Sequence, residues 1–97
     1  EFGETIPVTA FASADLDAVG KAIIKTLGKS SIPAVLARNH GVFTFGASAS
    51  DAVKAAVMIE QIAMPCHLAL LRGKPRTIPA KEAAKYYKRF HTLYGQR

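Results

Sequence analysis

Residues 48–72 constrain this chain more than any other stretch, because they read as one long helix that is apolar around most of its circumference. Ser48-Ala49-Ser50-Asp51 has the Ser/Thr-x-x-Asp/Glu spacing of a capping box, which opens the helix. At about 100° per residue, Asp51, Lys54, Met58 and Gln61 fall in one narrow stripe, and apolar residues occupy nearly everything else. Such a helix is buried against more than one neighbour. A chain of 97 residues scarcely supplies two layers of cover. The sequence therefore predicts that another part of the protein, or another subunit, packs here. Lys54, Glu60, Gln61 and His67 interrupt the apolar run, which argues against a bilayer span. Pro65 lacks an N–H and clashes with the preceding turn, so a kink or a split is expected there.

Upstream, residues 5–11 are β-branched and aromatic, and Pro7 suits an edge position better than a central strand. Ser13 is the expected N-cap of a first helix, with Asp15 and Asp17 acidic in its first turn. Leu16, Val19, Ile23 and Leu27 then recur at spacings of three and four, and Gly28 stops the helix. From Pro33 to Ala37 the run is continuously apolar, as in a strand covered on both sides. In the next run Phe43 and Phe45 share one face, Val42 and Thr44 take the other, and Gly46 closes the pair. Beyond the long helix, Arg72-Gly73-Lys74-Pro75 is a break. Pro79 fits the first position of a final helix through about Phe90.

Composition limits the function classes. A hydrophobic content of 49% with 21% charged residues belongs to a soluble globular domain, and 97 residues make one domain at most. The N-terminal residues lack the basic-then-apolar layout of a secretory signal. One cysteine, Cys66, forms no internal disulfide and excludes a cysteine-based zinc site, so a reducing cytoplasm is expected. The net charge of +6 is uneven: residues 1–71 carry five basic and six acidic side chains, and residues 72–97 carry eight and one. The basic end reads as a solvated helix that attracts a phosphorylated small molecule. A nucleic-acid patch is the weaker reading, because nothing interleaves the charges in the manner of a known nucleic-acid module.

Candidate chemistry centres on Asn39-His40-Gly41, set where one strand hands over to the next. A histidine there is held by backbone on both sides, and Gly41 removes a side chain beside it. His40 is thus a metal ligand or base, or else a hydrogen-bonded turn histidine. A catalytic divalent metal needs about three protein ligands. His40, His67 and His91 show no paired ligand spacing, so no complete metal site is legible. Glu60 and His67 lie on one side of the long helix, where an ion pair of Glu60 with Arg38 is the favoured reading over a catalytic pair. Cys66 is expected as a small buried hydrophobe. Tyr86, Tyr87 and Phe90 are expected as packing anchors, and Tyr94, by pattern alone, as surface.

The stretch Ile6-Pro7-Val8-Thr9, a helix, the segment AVLARNHGVFTFG and an alanine-rich helix containing MIEQIA together resemble the class II sugar-phosphate aldolase/epimerase family. The closing Leu93-Tyr94-Gly95-Gln96 is similar to the L-ribulose-5-phosphate 4-epimerase branch. The resemblance covers nearly the whole chain and matches the C-terminal part of that family. It implies an α/β fold with a largely antiparallel sheet between helix layers, of which residues 1–97 are a portion. It implies a homo-oligomer, tetrameric in the family, and a divalent cation, zinc above all. It also implies metal-assisted retro-aldol chemistry on a sugar phosphate: 4-epimerisation of a pentulose 5-phosphate, or cleavage of a fuculose-type phosphate. His40 matches the family's third metal histidine, while the His-x-His pair that supplies the other two is absent. Tyr94 matches the epimerase acid/base tyrosine, which acts in a neighbouring subunit's site. The epimerase also has a histidine about one helical stretch earlier, and its best match here is Tyr86 or Lys85. The family further includes adducin-like domains that lose the metal histidines and act in assembly. Taken alone, these 97 residues are expected to be inactive.

Overall fold

A computed structural model describes residues 5–93. The elements run α1 (Leu16–Leu27), β1 (Ala34–Ala37), β2 (Gly41–Thr44), α2 (Ala49–Arg72) and α3 (Ala80–Leu93). The strands form an antiparallel ribbon with Ala34 opposite Thr44 and Ala37 opposite Gly41. The ladder extends one step further, where Phe45 N–H donates to the Pro33 carbonyl at 2.8 Å. On the other edge of β1, residues 7–9 run parallel to it. Leu36 N–H donates to the Pro7 carbonyl and Thr9 N–H to the Leu36 carbonyl, both at 2.9 Å. Pro7 is tolerated there because this edge asks for its carbonyl and not for the N–H it lacks.

Alternation along the ribbon puts a helix on each face. Val35 and Ala37 share a core with Val19 and Ile23 of α1. Ala34 and Thr44 point the other way, and the Thr44 hydroxyl donates to the Ala52 carbonyl of α2 at 2.9 Å. Ala55 and Ile59 are the buried residues of α2. The result is a thin α/β/α stack, in line with the expected layering.

Helix ends follow local chemistry, with two corrections. The N-cap of α1 is Asp15, not Ser13: its carboxylate accepts from Asp17 N–H at 3.3 Å and its carbonyl from Val19 N–H at 3.0 Å. Asp15 immediately precedes Leu16, the first residue of α1, and that is where the orphan amides lie; Leu16 itself is exposed and does not join the buried face expected of it. Gly28 closes α1 as expected, with φ 52. Ser48 caps α2, accepting from Asp51 N–H at 3.2 Å and donating to the Asp51 carboxylate at 3.0 Å. Second, Pro65 does not split α2, which runs unbroken from Ala49 to Arg72. Pro65 and Gln61 are both exposed, where solvent can reach the Gln61 carbonyl left without its donor.

A membrane test and one further correction concern α2 and α3. By length and composition alone, α2 is long and apolar enough to cross a membrane, because its few charges leave a long window nearly free of them. The core helix of a soluble domain passes the same test. On α3, Tyr86, Tyr87 and Phe90 do not anchor the helix to the rest: among the described residues α3 packs against no other helix or strand. Tyr87 and Phe90 instead flank His91 of the same helix, with ring centroids 4.2 and 5.3 Å away. Tyr86 is half exposed.

Candidate metal-ligand site at the strand turn

Arg38, Asn39 and His40 form the link between β1 and β2, closed by His40 N–H donating to the Ala37 carbonyl at 2.9 Å. Asn39 takes φ 64, a left-handed conformation that asparagine tolerates better than most residues. Gly41 takes φ 140, which disfavours any side chain. The space where its Cβ would stand is open, so the glycine is required here by backbone geometry and not by crowding. Upstream, Thr9 is 2% exposed and ties the N-terminal segment to the turn. Its hydroxyl accepts from Arg38 N–H at 3.1 Å, and its carbonyl accepts from Arg38 Nε–H at 3.2 Å.

This tie brings Phe11 and Ala12 over the turn. His40 Nε2 lies 2.7 Å from the Ala12 carbonyl, and the imidazole stacks on Phe11 with centroids 5.8 Å apart and planes at 17°. A carbonyl oxygen can only accept, so this bond places the proton on Nε2. In the neutral imidazole Nδ1 then keeps its lone pair. A metal-binding histidine characteristically donates its other ring N–H to a carbonyl or carboxylate, which sets both tautomer and ring orientation. His40 is held in that state, with its side chain exposed to an incoming ligand.

The other candidates are not gathered around it. Glu60 is exposed on α2 and Arg38 is committed to Thr9, so the expected ion pair is replaced by the Arg38–Thr9 bonds. The helix turns Glu60 away from the ribbon that holds Arg38. Cys66 is exposed, contrary to the buried position expected, because the C-terminal half of α2 extends past the ribbon. His67 is also exposed, and His91 sits between Tyr87 and Phe90. Among the described residues no group of three or more His, Cys, Asp or Glu could hold a metal ion. Tyr94 lies outside the described residues. Thr9, Phe11 and Ala12 are the site residues that sequence reasoning missed. A backbone acceptor such as Ala12 leaves no mark on a sequence, whereas the polar Thr9 between Val8 and Ala10 was a usable signal.

A thin α/β/α stack that presents a hydrogen-bonded histidine at a strand turn defines the class: an α/β domain with an exposed, oriented imidazole. The model of the family described as Class II Aldolase and Adducin N-terminal domain matches residues 1–67, and the chain belongs to this family. The matched span includes the ribbon and His40 and ends at His67 within α2. No curated protein matches the chain. No solved structure matches it.

Proposed function

We propose that the chain is the C-terminal portion of a class II aldolase-type enzyme that cleaves and re-forms a carbon–carbon bond in a sugar phosphate, with 4-epimerisation of a pentulose 5-phosphate as its reaction. One observation carries the reading. His40 donates from Nε2 to Ala12 at 2.7 Å, is braced on Phe11, and leaves Nδ1 free, which is how a ligand histidine is prepared. The donor set of the described residues is one imidazole, short of the three or so that a catalytic cation requires. In this proposal the remaining donors come from beyond those residues. When bound, a divalent cation, zinc here, would polarise the substrate oxygens as a Lewis acid. This chain's own part is to hold one ligand rigidly and in the correct tautomer. Tyr94 is the proposed proton donor on the second face, reaching a neighbouring subunit of a cytoplasmic homo-oligomer. Cleavage of a fuculose-type phosphate is the alternative within the family.

The test uses the intact enzyme that carries this segment, with the released aldehyde trapped in a coupled assay. Zinc-dependent turnover is expected in the parent, and His40→Ala should abolish it with the circular dichroism spectrum unchanged. Turnover that survives His40→Ala would sink the proposal. A non-catalytic, adducin-like assembly role predicts no turnover in the parent at all. The 97-residue chain alone should bind zinc no more tightly than about micromolar, since a single ligand is far short of a site.

A further inference from the structure

Helix α3 carries its charges and its aromatic rings on opposite sides. At about 100° per residue, Lys81, Lys85, Lys88 and Arg89 fall within an arc of about 100°. Tyr86, Tyr87 and Phe90 fall within a second arc of about 100°, centred about 160° away. All four basic residues are exposed, and Tyr86 is half exposed. The Lys85 ammonium stands 6.0 Å from the Tyr86 ring centroid, at the border between the two faces. The linker from α2 continues the pattern: Arg72, Lys74 and Arg76 are exposed, and so is Ile78 beside them. Against these seven cations, residues 72–93 set one acidic side chain, Glu82. Among the described residues α3 packs against no other helix or strand, so its two-sided pattern is not the imprint of a shared core.

Charge decides what covers this helix. A second α3 would set like charge against like charge. The body of the chain offers little counter-charge, since residues 1–71 carry five basic and six acidic side chains. A nucleic-acid strand asks for cations and stacking rings on one face, where phosphates and bases meet both. Here the rings lie opposite the cations. A closed protein groove would bury two phenol hydroxyls that then need partners. An anionic bilayer interface suits both faces at once. The rings enter the boundary between headgroups and acyl chains with their hydroxyls still wet, and the long basic stems keep their heads among the anionic headgroups. Low overall hydropathy, sharply separated faces and a basic polar side are the pattern of a helix that lies in the interface plane. At 14 residues α3 is about 21 Å long, too short to cross a hydrocarbon core of about 30 Å.

We propose that α3 docks on an anionic lipid surface, with Tyr86, Tyr87 and Phe90 at the headgroup boundary and the basic side drawing the helix there. The docking surface rests on α3 and its linker and stands or falls independently of any metal chemistry. The 97-residue chain should co-sediment with vesicles of phosphatidylcholine containing about one-third phosphatidylserine, and not with phosphatidylcholine alone at the same lipid concentration. Each Lys or Arg near such a surface is worth about fivefold in affinity, so Lys85→Gln with Lys88→Gln should weaken binding roughly 25-fold. Both substitutions fall at exposed positions outside the core and leave the fold intact. The chain has no tryptophan, which makes Tyr86→Trp a single reporter of ring entry. Its emission should shift to the blue when the phosphatidylserine vesicles are added. Four results would overturn the proposal: equal binding to both kinds of vesicle, or to neither; binding indifferent to the paired lysine substitution; binding with the tryptophan emission unshifted, which is charge contact without ring entry; or duplex DNA bound more tightly than the vesicles at physiological salt.

Discussion

Replacing Thr9 by valine removes one hydroxyl and almost no volume, and it tests whether the N-terminal segment is what positions the turn. Thr9 is 2% exposed, and its Oγ1 is the acceptor for Arg38 N–H at 3.1 Å. Valine keeps the shape but leaves that partly buried amide without an acceptor. The net worth of one such bond is about 1 kcal/mol, and orphaning a buried donor raises the cost to about 1–3 kcal/mol. Partial burial of the Arg38 amide favours the lower half, about 1–2 kcal/mol. For a domain of this size, each kcal/mol lowers Tm by about 4–8 °C. A drop of about 4–16 °C is therefore expected, with urea midpoints moving accordingly and the m-value unchanged. Thr9→Ser keeps the acceptor and loses one methyl, so its cost should stay near 1 kcal/mol. Because Ala12 and Phe11 reach His40 through the same segment, His40 Nε2–H should exchange faster with solvent in Thr9→Val than in Thr9→Ser. A Thr9→Val protein within about 0.3 kcal/mol of the parent would refute the reasoning, since no orphaned buried donor is that cheap.

Gly46→Ala should destabilise the chain by about 1–3 kcal/mol, because an added Cβ would stand 2.6 Å from both the Ala52 nitrogen and Asp51 Cβ in the first turn of α2; a melt equal to the parent would show that this turn yields freely. Ser48→Ala should cost about 1 kcal/mol, the usual worth of an N-cap, and amide exchange at Asp51 should quicken. In the complete enzyme Tyr94→Phe should spare metal binding and bond cleavage while epimer formation falls by roughly 10²–10⁴. Mixed oligomers of Tyr94→Phe and His40→Ala subunits should recover activity if the tyrosine crosses a subunit boundary, and mixtures that stay inactive would refute that crossing.

Much of the local architecture was legible in the residues themselves. The four-residue spacing of Val19, Ile23 and Leu27 marks the face of α1 that packs on the core, and the apolar run at 34–37 is the strand it covers. Ser48 and Gly28 perform the capping their side chains allow, and Asn39-His40-Gly41 turns the chain where two short strands demanded it. These features depend on neighbours a few positions away, which is why a linear pattern records them. Pro65 and Cys66 were misjudged because their outcome depends on whether water or protein lies beside that stretch of α2, and a pattern of apolar residues cannot say which. Only the tertiary structure could decide what holds His40. The Ala12 carbonyl, 28 positions away, and the Phe11 ring come into place through the parallel pairing of residues 7–9 with β1. Backbone acceptors are the same at every residue, so which one meets the imidazole is settled by the path of the chain in space. The sequence by itself determined that a histidine stands at a strand turn in a chain of this family. The fold decided which of its two nitrogens remains free.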